Sequence, residues 1–127
     1  MKNEKIKSFT DLNAWKEGHK LVLMIYNITN NFPENEKFGL VSQMRRCAVS
    51  ITSNVAEGFS RRGNKEKIQF YCIASGSITE LQNQLLISRD IKILDNKKFK
   101  ETASQTVVVQ KIINGLIKST SNLNHNS

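Results

Sequence analysis

The chain has 127 residues, 39% of them hydrophobic, with one proline and six glycines. That length suits a single core, and so few turn formers exclude an all-β fold, which needs breakers at short intervals. Nineteen lysines and arginines stand against eleven acidic residues, a net charge of +8, which points to an acidic partner: nucleic acid first, an anionic membrane surface second.

No apolar run reaches the roughly 20 residues of a membrane span, and the opening MKNEKIKSF lacks the apolar centre of a secretory signal. The expectation is a cytoplasmic protein without a membrane partner, in which Cys47 and Cys72 are reduced, small, buried side chains. Residues 1–10 read as a short basic lead carrying Lys2, Lys5 and Lys7 against Glu4. Thr10 or Asp11 then offers a side-chain oxygen to cap a first helix.

In that helix Leu12, Trp15, His19, Val22, Tyr26 and Thr29 recur at steps of three and four, beside a second stripe of Leu21, Ile25, Ile28 and Phe32. Two stripes suit a bundle helix packed on two neighbours, with His19 a core or boundary residue. Pro33 holds Phe32 extended, so the helix stops near Asn31.

The second helix is expected after Asn35 or Glu36. Leu40, Met44, Cys47, Ile51 and Val55 share its core face, with Val41, Ala48 and Phe59 alongside. Opposite lies a polar stripe that includes Ser42, Gln43, Arg46, Ser50, Ser53, Asn54, Glu57 and Arg61. Between the two, Arg45, Val49, Thr52 and Ala56 form a small-residue face that admits a close neighbour. Gly58 and Gly63 bracket the exit, and Asn64 is placed to cap the next helix.

The third helix spans about Asn64 to Asp90, with Ile68, Tyr71, Ala74, Ile78, Leu81 and Leu85 in its core stripe. Gly76 in mid-helix disfavours the helix by about 1 kcal/mol relative to alanine, so a close backbone approach is expected there. Ile73, Ile87 and Ile91 fall on another side. A single bundle cannot cover them, and self-association through Ile73, Ile87, Ile91, Val49 and Ala56 is the simplest account.

Asp95 or Asn96 caps a fourth helix with Phe99, Ala103, Thr106, Val109 or Gln110, Ile113 and Leu116 or Ile117 at bundle spacing, whose first turn carries Lys97, Lys98 and Lys100. The arrangement is all-α: an antiparallel up-down-up-down four-helix bundle over residues 11–119, assembling as a symmetric oligomer, with a polar flexible tail at 120–127 that includes His125.

The segments DLNAWK (11–16), Phe32-Pro33, Phe38-Gly39-Leu40, Gln43 with Arg45-Arg46, Asn54-Val55-Ala56-Glu57-Gly58, and Ile73-Ala74-Ser75-Gly76-Ser77 resemble the four-helix proteins encoded in intervening sequences of bacterial 23S ribosomal RNA genes. That group is similar in turn to the accessory variability proteins of diversity-generating retroelements. The resemblance implies a cytoplasmic homopentamer without enzyme activity. For the retroelement relatives it also implies a basic surface that binds nucleic acid and a reverse transcriptase.

The residues offer no catalytic set. A di-iron bundle needs paired Glu-x-x-His motifs, and neither His19 nor His125 has a glutamate three residues before it. No Cys/His spacing suits zinc, and residues 58–63 lack the Lys-Ser/Thr ending of a phosphate loop. No cofactor or metal is expected.

Two functions compete: non-specific binding of RNA or DNA through a basic surface, and a protein–protein assembly or adaptor role without nucleic acid. Arg61, Arg62, Lys65 and Lys67, in a loop and first helical turn, are the leading phosphate candidates. Arg45 and Arg46 are further candidates, with a structural alternative in which Arg46 pairs with Glu57 or Glu80.

Overall fold

A computed structural model describes the backbone of residues 5–126 and the side chains of residues 5–123. Lys2 and Glu4 of the basic lead, and the side chain of His125, lie outside the described residues. Four helices account for most of the chain: α1 (Asn13–Thr29), α2 (Ser42–Ser60), α3 (Asn64–Asp90) and α4 (Asn96–Asn126). Each packs antiparallel against its sequence neighbours, and α4 closes the set against α1. The core runs down the centre, where Leu21, Ile25, Met44, Ile51, Val55, Tyr71, Ile78, Leu81, Leu85, Val109 and Ile113 are buried.

The entry to α1 is a 3₁₀ turn at Phe9–Asp11. The Ser8 hydroxyl accepts from the Thr10 N–H, while the Asp11 carboxylate accepts from the backbone N–H groups of Lys7 and Ser8. Those two bonds hold the Asp11 carboxyl below its ordinary value. The core face of α1 is the Leu21–Ile25–Ile28 stripe, joined by Ala14 and Gly18. His19 corrects its expected place: it is exposed and stacked flat on Trp15 at 4.6 Å.

Between α1 and α2 the chain makes a 3₁₀ turn at Glu34–Glu36 and a wide π turn at Lys37–Val41. The Glu36 carboxylate accepts from the Leu40 N–H at 3.4 Å, but Gly39 leaves helical geometry at φ −102°, ψ −105°. The expected helix start at residue 36 or 37 is therefore a broken lead-in. It presents Phe38 to solvent with 90% of its surface exposed.

The α2–α3 connection is only residues 61–63, and the two helices lie close. A Cβ on Gly58 would sit 2.6 Å from Tyr71 Cε1 and 3.1 Å from Phe70 Cβ. Gly58 thus belongs to a helix contact rather than to the exit. The expected cap at Asn64 is absent; Gly63 occupies the cap position without a side-chain bond.

Gly76 also departs from expectation, because a Cβ there would meet nothing within 4 Å. The close approach predicted for it occurs instead at Gly18, whose Cβ position lies 3.1 Å from Thr52 Cγ2. α3 ends with Lys92 in the left-handed region at φ 68°.

Asp95 caps α4 by accepting from the Lys98 N–H at 2.8 Å. The tail expected at 120–127 is not separate: α4 continues to Asn126, and Thr120 is buried. Buried hydroxyls make this possible without stranding polar groups, since Thr102, Thr106 and Thr120 each donate to a carbonyl three or four residues back.

Candidate functional site

The candidate cations lie on α2, in the connection after it and in the first turn of α3, and the structure separates cations that are held from cations that are not. Arg45 is held. Its Nε donates to Thr29 Oγ1 at 3.0 Å and its Nη2 to Asn30 Oδ1 at 3.1 Å, while the guanidinium lies 4.5 Å over the Tyr26 ring. These contacts clamp α2 onto the carboxyl end of α1, where unpaired carbonyls favour a cation.

Arg61 is held too. It pairs with Glu57 at 3.0 Å one turn earlier and stacks 4.7 Å over Phe70. Its Nε is buried, with no hydrogen-bond partner among the described residues. Lys67 donates to the Phe59 carbonyl at 2.7 Å and to that of Gly58 at 3.4 Å, closing the carboxyl end of α2. Burial lowers its pKa. Arg61 and Lys67, two of the leading phosphate candidates by sequence, are thus engaged within the chain.

Arg62 and Lys65 remain exposed, with no ion-pair or hydrogen-bond partner among the described residues. Arg46 is likewise exposed and unpaired. Its expected partners lie elsewhere: Glu57 pairs with Arg61, and Glu80 accepts weakly from Gln84 Nε2 at 3.4 Å.

Two hollows flank α2 beneath Phe38. The one on the α1 side is about 630 Å³, with Tyr26, Phe38, Val41 and Val49 as its apolar wall and Lys37, Arg45 and Arg46 as its cations. Among the described residues no carboxylate lines it. The one on the α3 side is about 510 Å³ and more polar, shares Phe38, Ser42, Arg46 and Ser50 with the first, and adds Gln43, Cys47, Ser77 and Glu80.

Its floor is tied down by Ser50 and Ser77, whose hydroxyls meet at 2.9 Å, and by Cys47, which donates to the Ser77 carbonyl at 2.9 Å. Burial, with Glu80 nearby, pushes the Cys47 thiol up to about 12. Cys47 is buried as expected, whereas Cys72 is exposed.

The residues proposed from sequence as an association surface divide as well. Ile73 and Ile87 are exposed on α3, Ile91 just past its end, and Val49 on α2. Ala56 is half-buried. Sequence reading missed Phe38 and set Tyr26 in a packed stripe of the first helix, where the structure leaves it exposed; the signal for Phe38 was the Phe-Gly pair, in which the glycine breaks the helix and frees the aromatic side chain.

Among the described residues no group of three or more His, Cys, Asp or Glu side chains gathers into a metal-binding arrangement. Among the described residues no helix is long and apolar enough to cross a membrane.

The family model described as "23S rRNA-intervening sequence protein" matches residues 10–115. Among solved structures, the chain is similar to a protein of unknown function from the S23 ribosomal protein family of Bacteroides thetaiotaomicron VPI-5482, with a TM-score of 0.76. The two are 17% identical, and the match covers 83% of this chain and 95% of that one, a likeness of fold. No curated protein matches the chain.

Proposed function

We propose that this chain, which belongs to the 23S rRNA-intervening sequence protein family, is a non-enzymatic, self-associating bundle, a homopentamer in its working form, that binds RNA or DNA through its cations. The observation that carries the nucleic-acid reading is the state of the cations at the α2–α3 end. Arg62 and Lys65 project to solvent without a partner among the described residues, in a chain with a net charge of +8. Arg61 and Lys67, beside them, are engaged in holding the helices together.

Repeated around a symmetric assembly, the Arg62–Lys65 pairs sum their field over a strand. Cations of this kind neutralise phosphates and read little sequence.

Fluorescence anisotropy of a labelled 20-nucleotide RNA across a salt series tests the reading. The logarithm of affinity falls linearly with the logarithm of salt. Each cation that neutralises a phosphate on a single strand adds roughly 0.7 to that slope, so Arg62→Ala/Lys65→Ala flattens it by about 1.4 for each engaged copy. No binding at 50 mM salt defeats it. The adaptor alternative draws on the exposed Val107 and Val108 of α4 and Leu23 of α1. Absence of RNA binding would leave that reading in place.

A further inference from the structure

The isolated chain carries two unsatisfied apolar surfaces, and they differ. The first is the hollow between α1 and α2, walled by Tyr26 and Val49, overhung by the 90% exposed Phe38, and cationic through Lys37 and Arg46. The second is a stripe along α3, Ile73, Glu80 and Ile87, spaced seven and seven so that they share one side of the helix, continued by Ile91 just past its end. All four are exposed.

Gly76 lies beside that stripe. Glycine is disfavoured in a helix interior, and no atom within 4 Å of its Cβ position explains its presence inside the chain. A bare patch of backbone between Ile73 and Glu80 admits a large side chain from outside.

The two surfaces complement each other in charge. The hollow has cations and, among the described residues, no carboxylate, and the stripe has a carboxylate at its centre. Arg46 and Glu80 border the same α3-side hollow yet do not pair within the chain.

Building on the self-association proposed above, we infer that the occupant of the α1–α2 hollow is the α3 stripe of a second copy. Phe38 packs over Gly76 and the neighbouring isoleucines, and Arg46 of one copy reaches Glu80 of the next. The hollow of one copy receives the stripe of the next, head-to-tail, so that each copy engages two neighbours, as a ring requires.

The test breaks the two surfaces separately. Phe38→Asp/Val49→Asp spoils the hollow, and Ile73→Asp/Ile87→Asp spoils the stripe; all four positions are exposed, so each chain keeps its core, which circular dichroism verifies. Alone, each variant sediments at 14.5 kDa. Mixed, they retain one intact hollow and one intact stripe and form a 1:1 dimer of about twice that mass.

The charge pair gives a second readout without touching the apolar residues. Arg46→Glu or Glu80→Arg alone weakens association about tenfold or more, and the double reversal Arg46→Glu/Glu80→Arg restores it. A monomeric wild type would overturn the self-association on which the inference rests. An assembled wild type whose broken variants stay monomeric when mixed, or stay assembled alone, would overturn the head-to-tail contact itself. Loss of RNA affinity in Phe38→Asp with no change in assembly would assign the hollow to nucleic acid and overturn it too.

Discussion

Gly58→Ala tests whether the α2–α3 contact is set by the absence of a side chain. The new methyl group would lie 2.6 and 2.9 Å from Tyr71 Cε1 and Cδ1, and 3.1 Å from Phe70 Cβ. Tyr71 is buried in the core cluster, while Phe70 carries Arg61 stacked on its face. Overpacking of this kind costs about 1–3 kcal/mol. Alanine returns up to about 1 kcal/mol of helix propensity, and less in the last turn where Gly58 sits.

The net expectation is a loss of about 1–2 kcal/mol, seen as a lowered urea midpoint with unchanged m-value at fixed protein concentration. Gly115→Ala is the control, since its Cβ meets nothing within 4 Å in mid-α4. It should gain up to about 1 kcal/mol from propensity alone. A Gly58→Ala protein as stable as the wild type, or one that tracks Gly115→Ala, would refute the packing argument.

Further expectations follow from individual side chains. Arg45→Lys removes the paired bonds to Thr29 and Asn30 and the guanidinium over Tyr26, and chemical denaturation should show a loss of about 1–2 kcal/mol despite the retained charge. Lys67→Met removes the donors that close α2 at Phe59 and Gly58 and should cost about 1 kcal/mol by the same measurement.

Lys92 adopts φ 68°, so Lys92→Gly should raise stability by up to about 1 kcal/mol, read as a higher thermal midpoint. Cys47 has its thiol pKa raised from 9.0 to about 12 in the folded state, so the unfolded chain loses that proton first and stability falls as pH rises from about 9 toward 12. The loss attributable to Cys47 reaches about 2 kcal/mol near pH 10.5, as the difference between wild type and Cys47→Ala across denaturation curves at pH 8 and pH 10.5.

Much of the fold was legible because apolar spacing records which side of a helix is buried. The Leu21–Ile25–Ile28, Met44–Cys47–Ile51–Val55 and Tyr71–Ala74–Ile78–Leu81–Leu85 stripes are the core faces. Spacing does not record what stands opposite a residue. Gly58 and Gly76 look alike in sequence, yet one faces Tyr71 at contact distance and the other faces open space.

The cations show the same limit. Arg61 and Lys67 resemble Arg62 and Lys65 as charge, but a three-residue connection folds α3 back so that Phe70 lies under Arg61 and the end of α2 lies within reach of Lys67. Phe38 escaped notice because continuing the helical wheel through Gly39 places the segment on a helix that the backbone breaks. The polar run at 120–127 read as a tail because threonine and asparagine are indifferent helix formers. Thr120 instead satisfies its hydroxyl on the Leu116 carbonyl and remains inside the bundle.

Phe38, Val49, Ile73, Ile87 and Ile91 are exposed on the single chain, and the proposed assembly would cover them. Sedimentation equilibrium of the wild-type protein at micromolar concentration tests it most directly. The account predicts a single species near five times 14.5 kDa, about 72 kDa. A species of 14.5 kDa that persists as concentration is raised would contradict it.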